Sequence, residues 1–171
     1  PELELIKKKL DGVTQPLKEL ITMIKHPAEI KRIYQEDGVP YILAENIRQS
    51  FWILQFDEKR FISEKTAARI PQNKLEVGDV IVTRTGANYG NASVYLGRPY
   101  PAYASAHIII IRPYAVAGEY LATYLNTCYG RKLVKRGVYG TSQPEISPEY
   151  LKTLPIVRLS FENEIVGIIR K

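Results

Sequence analysis

Apolar and polar positions along this chain follow two periods, and the switches between them mark its elements. "ELELIKKKLDG" is short and amphipathic and stops at Gly12, as the tail of a helix beginning upstream would. Pro16 suits the first turn of a helix over Leu17 to Ile24. "GVPYILAENIRQSFW" opens on a turn and an apolar stretch and then becomes polar. Ser63 reads as the N-cap of "EKTAARI", which Pro71 ends. A turn at Gly78 and Asp79 precedes a strand from Val80 to Arg84. A loop with Gly86 and Gly90 then leads to a second strand, Ala92 to Leu96, and the two predict a hairpin. "AHIIIIRP" is a fully buried strand closed by Pro113. Tyr120, Leu121, Tyr124 and Leu125 stand at helical spacing in a long helix expected to kink at Gly130. "SPEYLKTLPIV" predicts a Pro-initiated turn of helix and a strand. "SFENEIVGIIRK" predicts a last helix, with Ser160 as cap, Glu162 and Glu164 at its positive end, and Ile165, Ile168 and Ile169 on one face. Strands and helices in unequal alternation predict an α+β domain, a mixed or antiparallel sheet with flanking helices.

The length of 171 residues suits one core, since a domain of that size buries roughly two-thirds of its unfolded surface. Hydrophobic content of 45% and charged content of 25% are ordinary for a globular domain and argue against disorder. The most apolar run, Ile108 to Ile111, is far short of the ~20 residues that a bilayer requires. Cys128 is the only cysteine, so neither a disulfide framework nor a cysteine zinc site can form. That usage suits the reducing cytosol, and a cytoplasmic location is expected. The chain opens on Pro without Met, shows no signal peptide and closes mid-pattern, so a fragment of a longer protein is expected.

The 24 Lys and Arg against 18 Asp and Glu give +6, a modest excess that decides nothing alone. Placement says more. In "GRKLVKRGVYG", Arg131, Lys132, Lys135 and Arg136 fall within one short segment that contains no acid. On a helix Arg131 shares an arc with Lys135, and Lys132 with Arg136, while Leu133 and Val134 turn inward. Such an arc can line a phosphate backbone.

A search for catalytic groups returns little. His26 and His107 are the only histidines, and structural roles suit both. Cys128 reads as an inert thiol on the apolar side of a helix. "TRTGANYGNA" lacks the Gly-Lys-Ser/Thr ending of a phosphate loop and leads into a strand. The acids and lysines of "FDEKRFISEK" read as a solvated face. What remains is three polar loops whose side chains are those that recognise DNA, because Arg can grip guanine and Asn and Gln can grip adenine. The first loop carries Arg48, Gln49 and Ser50. The second carries Arg84, Thr85, Asn88, Tyr89 and Asn91. The third, beside Lys132, Lys135 and Arg136, carries Tyr139, Thr141, Ser142 and Gln143.

The succession "GVPYILAENI", "LEVGDVIVTRTGANYGNASVYLG", "SAHIIIIRP", "EYLATYLNTCYGRKLVKRGVYGTSQPEIS" and "LKTLPIVRL" resembles the target recognition domain of type I restriction-modification specificity (S) subunits. The likeness runs from about Thr14 to Leu159. Gly78 and Asp79 match the family's Gly-Asp strand, and Gly140, Gln143 and Ile146 its Gly-x-x-Gln-x-x-Ile segment. Asn163 and Glu164 stand where the family usually has Glu-Gln. The resemblance implies an N-terminal segment over 1–13, a recognition domain over 14–159 and the start of a C-terminal spacer helix over 160–171.

The resemblance also implies sequence-specific binding to double-stranded DNA, one half of a split site, without catalysis by this chain. Partners would be methyltransferase subunits, a restriction subunit, and a second recognition domain in the same chain or by dimerisation; no membrane is involved. No cofactor is expected here, S-adenosylmethionine and Mg belonging to partner subunits. The native protein would be half of an S subunit, a half-length S protein that dimerises, or a recognition domain from a fused enzyme. Two other classes stay open. One is a nuclease or methyltransferase fragment using Asp57, Glu58 and Lys59 or Glu64 and Lys65, although no methyltransferase cofactor motif is present. The other is a basic protein-interaction module.

Overall fold

The run of isoleucines in β8 (Ile108–Pro113) is the centre of the fold. Side chains on a strand alternate between faces, so an unbroken apolar run needs cover on both. It has it: Ile109 and Ile111 enter one buried cluster and Ile108 and Ile110 another. A computed structural model describes residues 13–31, 33–48, 53–57, 59–140 and 144–171. Its strands, in chain order, are β1 (Thr14–Pro16), β2 (Ile21–Lys25), β3 (Val39–Ile42), β4 (Phe61–Ile62), β5 (Val80–Thr83), β6 (Ala92–Val94), β7 (Tyr103–Ala104), β8 and β9 (Pro155–Val157). The helices are α1 (Glu64–Arg69), α2 (Gly118–Asn126), α3 (Cys128–Arg136), α4 (Pro148–Lys152) and α5 (Glu162–Ile169).

The main sheet has four strands in the order β2-β8-β5-β6, each pair antiparallel. Helices α2 and α3 cover one face through Leu121, Leu125, Leu133 and Val134. The other face packs on Ile42, Ile47, Leu75 and Tyr95. A three-stranded sheet, β4-β3-β7, lies under α1 with a small core of its own, and β1 pairs with β9 as a two-stranded ribbon. Tyr120 and Tyr124 on α2 donate to the carbonyls of Val157 and Pro155, at 2.8 and 2.6 Å, and so hold that ribbon to the helices. This is the α+β architecture that the pattern predicts, with its hairpin (β5 and β6), its helix capped at Ser63 and its Pro-initiated turn of helix at Pro148, which Ser147 caps in addition.

Five expectations are corrected. The helix expected over Leu17 to Ile24 is a single 3-10 turn, Leu17–Glu19, followed by β2. The open edge of β8 supplies backbone partners from Ile110 to Pro113, and that pairing outweighs the helical spacing of Leu17, Leu20 and Ile24. The long helix breaks at Thr127, not Gly130. The Thr127 hydroxyl donates to the Tyr124 carbonyl at 2.6 Å and accepts the Gly130 N–H at 3.1 Å, closing one helix and capping the next. The break turns Cys128 outward, so the thiol is exposed and not part of the core. The last helix is preceded by Phe161 without a side-chain cap; the Glu162 carboxylate accepts the Leu159 N–H at 2.9 Å in place of the expected Ser160 hydroxyl. That helix lies on α2, where Arg170 pairs with buried Glu119 at 2.6 Å, and its isoleucine face divides, Ile168 being 72% exposed. Residues 1–12, with the expected N-terminal helix tail, lie outside the described residues.

Candidate nucleic-acid interface

Strand β5 ends at one edge of the main sheet, and the polar loops gather there. After Thr83 the chain makes a compact turn in which the Gly90 N–H bonds the Thr83 carbonyl at 2.7 Å. Gly90 has φ +74, and a Cβ there would lie 2.6 Å from Val134 of α3. A glycine is therefore needed for the turn and helix to meet. Arg131 completes the contact from α3: its Nη1 donates to the Tyr89 carbonyl at 2.8 Å, and its guanidinium stands 5.9 Å from the Tyr89 ring.

The third loop is stitched to the second. Tyr139 and Glu145 exchange backbone hydrogen bonds at 3.0 and 2.9 Å and so form the neck of the loop. The Ile146 N–H bonds the Arg84 carbonyl at 3.1 Å and the Gly86 N–H bonds the Pro144 carbonyl at 3.3 Å. Arg84 and Glu145 form an ion pair across the join. Desolvation and the neighbouring Glu145 carboxylate raise the Tyr139 pKa against the opposing effect of Arg84, and the residue is half-exposed. Arg48 comes alongside from the start of the first loop and lines the same cleft as Asn88 and Arg131.

The expected site residues fall into distinct settings. Asn88 is exposed at the loop tip, and its side chain has no protein partner among the described residues. Lys135 and Arg136 are exposed at the end of α3, and neither is ion-paired with a carboxylate among the described residues. Lys132 is half-buried and engaged with the protein. Leu133 and Val134 turn inward, as the helical spacing predicts. Arg48 pairs with Asp57 at 2.6 Å, both side chains 44% exposed. The Thr85 hydroxyl lies 3.0 Å from His107 Nδ1. Asn91 is 6% exposed and its amide donates to the Ile47 carbonyl at 3.4 Å, so the sheet edge draws it inward. Gln49, Ser50, Thr141, Ser142 and Gln143 lie outside the described residues, as does Glu58.

One residue that sequence reasoning leaves out, and one to which it gives another role, matter here. Glu145, a lone carboxylate inside a basic polar loop, orients Arg84. Arg131, read only as part of the basic arc, is drawn onto Tyr89, and burial lowers its pKa. Glu64 opens α1 and shares no metal-holding cluster, since no group of three or more His, Cys, Asp or Glu side chains is so arranged among the described residues.

Residues 11–160 match the family model of the type I restriction modification DNA specificity domain. The chain belongs to this family. As a specificity domain it belongs to a family of recognition modules, and the match spans almost the whole described fold. Solved structures agree on that fold. The S subunit of a type I restriction-modification system from M. genitalium is 12% identical, with a TM-score of 0.59 over 94% of this chain and 38% of its own. The HsdS subunit from Thermoanaerobacter tengcongensis is 16% identical, with a TM-score of 0.58 over 99% of this chain and 42% of its own. The type IIG restriction endonuclease BpuSI is 8% identical, with a TM-score of 0.70 over 99% of this chain and 28% of its own. This specificity domain thus spans under half the length of each of these proteins. A search of curated proteins gives no match. Among the described residues no helix is long and apolar enough to cross a membrane.

Proposed function

We propose that this domain binds double-stranded DNA and reads one half of a split target site for a restriction-modification system. The observation that supports this most is the convergence of loop 84–91, the neck at Tyr139 and Glu145, and the basic end of α3 on one edge of the fold. Lys132, Lys135 and Arg136 set the register on phosphates, and the loops read base edges in the major groove. Asn88, Tyr89, Tyr139, Thr141, Ser142 and Gln143 are the readers, with Arg84 held in place by Glu145 and Thr85 by His107. Arg48 and Gln49 contribute from the first loop, and Asn91 shapes the edge from within.

Methyl transfer from S-adenosylmethionine and Mg-dependent cleavage belong to methyltransferase and restriction subunits, or to domains fused to this one. A second recognition domain, in the same chain or in a dimer, reads the other half-site. The expected setting is the cytoplasm.

The test is selection of bound duplexes from a randomised pool at two salt concentrations, followed by sequencing. A half-site reader enriches a short motif of about three to five base pairs that survives the higher salt. Retention without a motif, lost at higher salt, would assign only phosphate contact to the domain. No retention at either salt would favour a protein-interaction module.

A further inference from the structure

Ala87 and Asn88 form a crest between two cavities, and both residues line each cavity. The inner cavity has a volume of about 340 Å³, at the small end of the range for ligand sites. Ile30, Leu43, Tyr34 and Tyr41 give it apolar and aromatic walls, the two rings standing 6.3 Å apart. Thr83 and Ser105 also line it, although they are only 1% and 3% exposed. Neither hydroxyl has a hydrogen-bond partner among the described residues. Buried hydroxyls are ordinarily satisfied, so two unpartnered ones on residues that line one cavity mark a place where a polar edge could be met once the wall adjusts. Glu29, Glu45 and His107 stand among the lining residues, and among the described residues no Lys or Arg does. Such a cavity repels anions and suits a flat, neutral ring with amine donors.

The outer cavity has the opposite chemistry. It is about 770 Å³ and is lined by Arg48, Arg131 and Asn88, with Glu45 at the shared rim. Arg48 is balanced by Asp57. Arg131 is half-buried and has no carboxylate partner among the described residues. Burial lowers its pKa, the mark of a cation that an anion would relieve. A base-like compartment and a phosphate-like compartment therefore meet across Glu45, Ala87 and Asn88.

We propose that the two cavities together hold one nucleotide, with an amine-bearing base, adenine or cytosine, on Thr83 and Ser105, and its phosphate on Arg131. The proposal rests on the DNA-reading function above when the nucleotide is displaced from a duplex. A free nucleotide carries the same chemistry.

Methyl NMR of the whole chain, following Ala87 and Ala106, tests this and separates the sources. The probes are deoxyadenosine monophosphate, deoxyadenosine, a duplex with one unpaired adenine, and the fully paired duplex. The monophosphate or the unpaired-adenine duplex is expected to shift both methyls. Deoxyadenosine should bind about tenfold more weakly, lacking the charge-assisted contact with Arg131. The double variant Thr83→Val, Ser105→Ala should bind about tenfold more weakly, with no fall in melting temperature, because it removes only unpartnered hydroxyls. A response to the unpaired-adenine duplex assigns the site to a displaced base, and a response to the monophosphate alone assigns it to a free nucleotide. Silent methyls with every probe, or undiminished binding by the double variant, would overturn the nucleotide site. If paired duplexes still bind while the methyls stay silent, DNA reading stands and only this site falls.

Discussion

Two arginine–carboxylate pairs bracket strand β5, and they do different work. Before the strand, Asp79 is 1% exposed; its carboxylate accepts Arg112 Nε at 2.8 Å and Nη2 at 2.9 Å, and also the Glu76 N–H at 2.8 Å. After the strand, Arg84 and Glu145 form their pair with side chains 25% and 24% exposed, beside the loop tips. The chemistry is the same and the depth is not. A buried carboxylate with every partner in place is costly to disturb, whereas a pair one quarter exposed can rearrange around a ligand more readily. One end of β5 is a fastening, and the other is the edge proposed above to work on DNA.

Asp79→Ala should give the largest effect, lowering unfolding free energy by about 3 kcal/mol in urea denaturation. The Arg112 guanidinium and the Glu76 amide would both lose their buried acceptor. Glu145→Gln, by contrast, should alter stability by less than about 1 kcal/mol. Its effect should appear in competition binding, as a loss of about 1 to 3 kcal/mol of discrimination at a single base pair. Equal unfolding by both variants would erase the distinction between the two ends.

Lys135→Ala sharpens the working edge further. It should weaken binding to every duplex alike and reduce the salt slope by about one. Gln143→Ala should instead cost ~1 to 3 kcal/mol at one base pair only. Unchanged affinity in both variants would show that the assigned face is not the DNA face.

The smallest effect belongs to a third pair, Arg158 and Glu162, away from both ends of β5. Burial raises the Glu162 pKa, but hydrogen bonds from Arg158 and the Leu159 N–H outweigh it and hold the carboxyl below the usual 4.5. Its stabilisation is therefore present above about pH 4.5 and is lost as pH falls through the lower folded value. The stability difference between the native chain and Glu162→Gln, under about 1 kcal/mol at neutral pH, should shrink in acid melts.

Much of the fastening was legible in residue order. The isoleucine run, the Gly78 turn, the hairpin strands, the Ser63 cap and the Pro148 start of α4 are local signals, and each element forms where its signal lies. The misread parts depend on partners distant in sequence. β2 is a strand because β8, some ninety residues on, needs an edge partner. The break at Thr127 rests on a hydroxyl choosing between two helices, and Cys128 follows that choice. At the working edge, the loops were recognisable by composition but their joining was not. The Glu145 to Arg84 pair spans 61 positions, and the Arg131 to Tyr89 contact spans 42, so no local pattern announces them.

The ribbon of β1 and β9 aligns Thr14 with Val157 and Pro16 with Pro155, so the chain enters and leaves the fold side by side. A unit whose entrance and exit share one doorway can be lifted from one polypeptide and set into another without changing the spacing of the host on either side. The edge proposed to read DNA would travel with it whole. A new DNA preference could then arise by exchanging an entire cassette, leaving the surrounding machinery untouched.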